Sequence, residues 1–229
     1  MGFLTRPLDA ALSSTSKIRL LRLLIEQNRT VSGREAARLT GTSRTAMLVA
    51  IRELAKLGLI HREEAGRQFL CRANHDNQLL RMALKPLFAA EADWPALFFS
   101  AVRGELSTWE AKTAKSSLRR KSNILAVWIF GSVAMGRDKP GSDVDLFVLT
   151  SSEKRIEPIR ERLADCLTTW RRQFGADVRP IVMSYGTAST QLHTRDKFLT
   201  NALRHARVVM GEIPKELRIG KANDNTQGQ

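Results

Sequence analysis

Two aspartates one residue apart stand at the head of an apolar run, in the phrase Ser142-Asp143-Val144-Asp145-Leu146-Phe147-Val148-Leu149. On an extended strand, residues i and i+2 face the same side. Their Cα atoms are then roughly 6.7 Å apart, at about 3.35 Å per residue. At an effective dielectric of about 20, two carboxylates at that spacing repel by about 2.5 kcal/mol. A divalent cation relieves that repulsion, and hard oxygen ligands suit Mg2+, which completes its shell with water and phosphate. Two such ions, roughly 3.5–4 Å apart, can activate an attacking oxygen and stabilise a leaving one. Gly131-Ser132 precedes Asp143 by a gap of ten residues, 133–142. A glycine lacks the Cβ that would keep a triphosphate from the backbone. Ser132 is expected to open a short helix whose free N–H groups and hydroxyl hold phosphate oxygens. Gly136 lets that segment turn, Arg137 and Lys139 add positive charge, and Ser142 completes the phosphate-side set. The chemistry expected is binding of a Mg2+–nucleoside triphosphate between turn and aspartates. A hydroxyl would attack the α-phosphorus and release pyrophosphate.

The flanking sequence supplies elements to position these groups. Ile124-Leu125-Ala126-Val127-Trp128-Ile129-Phe130 is a continuous apolar run, as expected of a strand buried on both faces. It delivers Gly131, and a second strand carries Asp145 into Leu146–Leu149. This unit is similar to the signature of the DNA polymerase beta nucleotidyltransferase superfamily. It is closest to the minimal nucleotidyltransferases, with Gly-Ser, ten residues and Asp-x-Asp. The resemblance covers about residues 95–212. It implies two Mg2+ ions, Asp143 and Asp145 as metal ligands, and ATP as the expected nucleotide. Minimal members often act as antitoxins that adenylylate a partner toxin, so the resemblance offers a protein hydroxyl as acceptor. An RNA end or a small molecule stays open. It also implies a third carboxylate on a later strand, here Asp177-Val178-Arg179-Pro180-Ile181-Val182-Met183. That position falls at or near Arg179. Asp177, two residues earlier, either replaces it as the third catalytic carboxylate or leaves the set incomplete. In the second case the domain would bind nucleotide or a partner without turnover. Pro180 points to an edge strand.

The N-terminal third follows a different pattern. Apolar residues at 18, 21, 24 and 25 give one face of a helix over 17–27. Ser32 and Glu35 have the spacing of a capping box at the start of a second helix, which ends near Leu39. After Thr40-Gly41-Thr42, a third helix runs from about Ser43 to Leu57, with Met47, Val49, Ile51, Leu54 and Leu57 available for the core. Residues 61–70 read as a hairpin, apolar at the ends around a polar, glycine-containing middle. The order resembles the winged helix-turn-helix domains of bacterial transcription regulators over about residues 16–72. It implies DNA as partner, with Ser43, Arg44 and Thr45 near bases and Arg62 and Arg67 of the wing near phosphates. Docking against another protein is the alternative, since this geometry does not fix function. Between the two halves, residues 74–120 read as helical, interrupted at Pro86 and Pro95, with Asp93 capping a helix that starts near Trp94-Pro95. The basic stretch Lys112–Lys121 reads as a solvated helix end and loop.

The bulk composition bounds the rest. In 229 residues the net charge is +14. Residues 1–88 hold 15 basic and 7 acidic residues and residues 89–229 hold 22 and 16, so both halves suit a polyanionic partner. Two cysteines, Cys71 and Cys166, give neither a disulfide framework nor a zinc site and fit reduced thiols in the cytoplasm. No apolar run reaches the length of a membrane span, and the N-terminus lacks a secretory pattern. The four histidines have no metal-ligand spacing, and the four tryptophans are expected in the core. The expected fold class is α+β: a winged helix-turn-helix domain over 1–88, an α/β nucleotidyltransferase domain with a small mixed sheet over 89–215, and a disordered tail over 216–229.

Overall fold

The computed structural model describes residues 5–66, 68–113, 123–139 and 141–218. The basic stretch after Thr113 and the tail beyond Arg218 lie outside the described residues. The chain divides into two compact units, Met1–Trp94 and Pro95–Gln229.

In the first unit, α1 (Pro7–Ala11) leads into α2 (Thr15–Gln27), whose first turn is capped by the Ser14 hydroxyl accepting from the Lys17 N–H. Leu20, Leu21 and Leu24 of α2 are fully buried, and Ile18 and Ile25 pack at the edge. Strand β1 (Val31–Ser32) precedes α3 (Gly33–Thr40), and Gly41 closes α3. The Ser32 hydroxyl accepts from the Glu35 N–H at 3.2 Å. The Glu35 carboxylate is held below its usual range, chiefly by Arg29 and to a smaller extent by the Ser32 N–H, so the expected capping box forms. Helix α4 (Arg44–Lys56) buries Met47, Ala50, Ile51 and Leu54. Val49, which the sequence offered to the core, is 41% exposed. The inward stripe runs at spacings of three and four from Met47, and at 100° per residue Val49 stands about 200° from Met47. The hairpin β2 (Ile60–Ala65) and β3 (Gln68–Ala73) pairs in one continuous register from Ile60↔Ala73 to Ala65↔Gln68. Strand β1 adds to it to give the antiparallel order β1-β3-β2. The unit is a winged helix-turn-helix.

The expected interruptions at Pro86 and Pro95 do not occur. A π-helical turn, Leu80–Leu84, runs directly into α5 (Lys85–Thr113), and Pro95 lies inside that helix. The Lys85 N–H still donates to the Leu80 carbonyl in the wide π spacing. Pro86 follows at the change of spacing, where a missing N–H costs least. At Pro95 one ladder bond is lost, yet the helix persists because Phe98, Val102 and Leu106 bury completely or nearly so on its far side. Asp93 and Trp94 are therefore interior helical residues rather than a cap and a first turn.

The second unit is built on a four-stranded mixed sheet in the order β6-β5-β4-β7. Strand β4 (Ile124–Phe130) pairs antiparallel with β5 (Val144–Thr150) and with β7 (Arg207–Gly211), and β6 (Val178–Ser184) pairs parallel with β5. Pro180 thus sits on an edge strand, as its missing N–H requires. One face of the sheet packs Val127, Ile129, Leu146 and Val148 against α5 and α7 (Ile156–Phe174). The other packs Trp128, Phe147 and Leu149 against α8 (Tyr185–His193) and α9 (Lys197–Arg204). Covered on both faces, the two central strands must be apolar throughout, which explains the unbroken runs. Trp128 stacks on Phe147 at 4.2 Å between centroids and donates its indole N–H to the Ala202 carbonyl. Trp128 and Trp170 are core residues, while Trp94 is 49% exposed, against expectation. Six residues after Phe88, at 100° per residue, it stands about 240° around the helix from that buried ring.

Candidate active site

Three strand ends meet at one end of the second sheet. Strand β4 ends at Phe130, paired with Asp145, and Asp145 is in turn the register partner of Arg179 on β6. Beyond Phe130 the chain turns through Gly131, with φ +71°, into the single-turn helix α6 (Gly131–Ala134). A Cβ at Gly131 would run into the Asp145 carboxylate. Glycine is required there twice over: for the left-handed backbone and for the room the carboxylate occupies. Ser132 follows within α6, and its carbonyl accepts from the Arg137 N–H at 2.9 Å. Gly136, also left-handed, turns the chain toward Arg137 and Lys139. Ser142 closes this loop. Its hydroxyl accepts from the Lys139 N–H and its own N–H donates to the Lys139 carbonyl, at 2.9 and 2.8 Å. That hydroxyl keeps a hydrogen to donate, so a loop-closing role leaves a phosphate contact open.

The carboxylates come together in part. Asp145 lies within β5, and Asp143 stands just before its first residue. Burial raises the Asp145 pKa; Arg179 opposes that shift and the Asp143 charge adds to it. Asp143 accepts an ion pair from the Arg179 guanidinium at 2.8 Å. Asp177 goes elsewhere: its carboxylate meets Arg171 near the end of α7 at 3.2 Å, and its carbonyl accepts from the Val144 N–H at 2.8 Å. Gly131, Asp143, Asp145 and Arg179 thus form one cluster, with Asp177 paired outside it. Among the described residues no group of three or more acidic, histidine or cysteine side chains is placed to hold a metal ion. Arg179 was legible as an oddity of position; its bond to Asp143 was not, because parallel register cannot be read from one strand.

On the first unit, the Ser43 hydroxyl is spent as the cap of α4, accepting from the Ala46 N–H at 3.2 Å. Arg44 and Thr45 are exposed on the following turn. Leu48 and Val49 are exposed beside them, two apolar residues that a plot of α4 at 100° per residue would have found. Arg44, Leu48, Arg34, Gln68 and Phe69 line a shallow cleft of about 190 Å3 between α4 and the wing. Arg62 lies 3.8 Å over the Phe69 ring and within 3.3 Å of Glu64, so packing on the wing fixes its stem. Arg67 lies outside the described residues. His75 bonds to the Asn28 side-chain oxygen and His193 to the Ser189 carbonyl.

The second unit thus sets a glycine turn against an aspartate-bearing strand of a mixed sheet covered by helices. The family described as "Polymerase beta, Nucleotidyltransferase" matches residues 112–195, a span that holds Gly131, Ser132, Asp143, Asp145 and Arg179. The match lies within the second unit. No curated protein matches the chain. Among solved structures, one reported for the DNA recognition and protein interaction domains of HOP2 is 30% identical, over 24% of this chain and 92% of that one, at a TM-score of 0.23. The archaeal chromatin protein TrmBL2 is 11% identical, over 86% of this chain and 75% of that one, at a TM-score of 0.27.

Proposed function

We propose that the chain is a nucleotidyltransferase that moves a nucleoside monophosphate, AMP by preference, from a Mg2+-bound triphosphate to an acceptor hydroxyl, and that its first unit binds DNA. The observation that carries the first part is the Asp145 carboxylate lying where a Cβ of Gly131 would stand. It sets the phosphate-approach turn and an acid on adjacent strands at one sheet end. Asp143 and Asp145 offer hard oxygens that fit a divalent cation. Bound there, Mg2+ would supply Lewis-acid charge to the α-phosphate.

The chain's own groups do the rest. The Gly131–Ser132 turn presents backbone N–H groups to phosphate oxygens. Arg137 and Lys139 add charge around the leaving pyrophosphate. The acceptor oxygen bonds to the α-phosphorus, the α–β bridging bond breaks with its electron pair going to pyrophosphate, and the hydroxyl proton is released. A hydroxyl on a partner protein is the acceptor we favour, in the manner of an antitoxin acting on its toxin. Residence in the cytoplasm goes with that reading. Asp177 is the third catalytic carboxylate only if it leaves Arg171.

The test is incubation with Mg2+ and ATP labelled at the α-phosphate, with candidate acceptors, comparing wild type with the double variant Asp143→Asn, Asp145→Asn. Wild type labels an acceptor and releases pyrophosphate, and the variant does neither; equal labelling by both would reject the assignment.

A second reading is favoured by the Arg179–Asp143 pair. In it the domain binds nucleotide without turnover and governs the DNA-binding unit. Nucleotide binding with no pyrophosphate released, together with a nucleotide-dependent change in DNA affinity, would select it.

For the DNA-binding part, α4 presents Arg44 and Thr45 at its exposed start, on a chain of net charge +14. Sequence-selective binding that weakens on Arg44→Ala is expected in a mobility-shift assay across a range of salt.

A further inference from the structure

Arg179 stands where a cation belongs, and it is held there by an acid of the site. Its guanidinium bonds Asp143 at 2.8 Å, and its Cα faces that of Asp145 across the β5–β6 pairing. The arginine side chain is 72% exposed and Asp143 is 31% exposed. Such a pair is weak and easily exchanged in water, so Arg179 is a movable charge rather than a strut.

The site's charges set how many metal ions it suits. Asp143 and Asp145 supply two carboxylates from the protein, and the later-strand position where a third would share a second ion holds Arg179 instead. A second would meet the Arg179 guanidinium on β6, and among the described residues no third acid joins Asp143 and Asp145. Arginine, unlike lysine, brings a planar fork of donors that fits phosphate oxygens two at a time. Arg179 is mostly exposed, so its guanidinium is open to a ligand at the site.

Resting on the nucleotide-binding reading of this site, we propose that Arg179 takes the place of one divalent cation: the site accepts a single metal ion with its nucleotide, and the guanidinium passes from Asp143 to the triphosphate. Arg179 then contacts substrate, and its role is specific to a phosphate ligand. The same exchange makes the site respond to nucleotide and metal jointly. The guanidinium leaves Asp143 for a phosphate, and the freed carboxylate turns to the cation.

The experiment uses the full chain with α,β-methylene-ATP, whose α–β linkage cannot be cleaved, and counts bound Mn2+ by electron paramagnetic resonance. Wild type is expected to hold one Mn2+ per bound nucleotide, and Arg179→Asp two. Arg179→Ala is expected to weaken analogue binding about tenfold at saturating Mn2+, a loss typical of one charge-assisted phosphate contact, with an unchanged circular dichroism spectrum. Two Mn2+ ions per nucleotide in wild type would overturn the proposal, and so would undiminished analogue binding by Arg179→Ala. Wild type that binds no analogue at all would overturn the nucleotide-binding reading itself, a result distinct from either.

Discussion

Gly131 and Asp145 are each explained by the other. The glycine takes a left-handed backbone, and the carboxylate fills the space its missing side chain leaves. Gly131→Ala is expected to lower stability by about 1–2 kcal/mol from the left-handed strain alone, with more from displacing Asp145. Nucleotide binding should fall with it. Gly175→Ala, at the left-handed cap of α7 with an open surround, should show the strain and spare nucleotide binding; urea melts and analogue titration separate the two. Asp145 has a second signature. Its pKa is raised, first by burial. A raised acid binds its proton more tightly in the folded state, so stability falls as pH rises from the ordinary aspartate value through the folded one. Asp145→Asn should therefore be more stable than wild type at neutral pH. The advantage should vanish as pH falls below the ordinary aspartate range, which melts across pH 3–8 would follow. The Gly-Ser and Asp-x-Asp residues were legible because their spacing is itself the signal. The Asp143–Arg179 bond and the Asp177–Arg171 pair were not, since each joins segments whose meeting depends on strand order and helix placement.

Among the elements, those whose ends carry their own chemistry were read correctly. Ser32 and Glu35 announced α3, and Ser43 announced α4. The two apolar runs announced β4 and β5, and Pro180 announced an edge. Helix α5 is not legible from its prolines alone: Pro86 falls at a π-to-α change and Pro95 ahead of three buried anchors, Phe98, Val102 and Leu106. Val49 was misplaced by counting apolar residues instead of their angles around α4. The Ser43 cap yields a test at this scale. Ser43→Ala should cost about 1 kcal/mol of stability and weaken DNA binding through fraying of the turn that bears Arg44 and Thr45. Loss of stability with DNA affinity unchanged would detach α4 from DNA recognition.

For the molecule as a whole, each compact unit carries one buried thiol. Cys71 lies in the first core, its thiol donating to the Val31 carbonyl, and burial pushes its pKa up to about 11. Cys166 lies in the second core with its pKa also raised, again first by burial. Neither should be alkylated by iodoacetamide at pH 8 in the native protein, because the thiolate is the nucleophile. In a urea gradient, mass spectrometry of the two modified peptides then reports the opening of each unit separately. Coincident modification would show the units unfolding as one, and rapid labelling without urea would contradict the buried placement. Among the described residues no helix is long and apolar enough to cross a membrane.

The most direct measurement of the central claim is a crystal structure of the full chain with Mn2+ and α,β-methylene-ATP, using anomalous scattering to place the metal. One manganese peak bound by Asp143 and Asp145 is expected, with the triphosphate over the Gly131–Ser132 turn. A triphosphate bound away from that turn, or manganese bound without either aspartate, would contradict it.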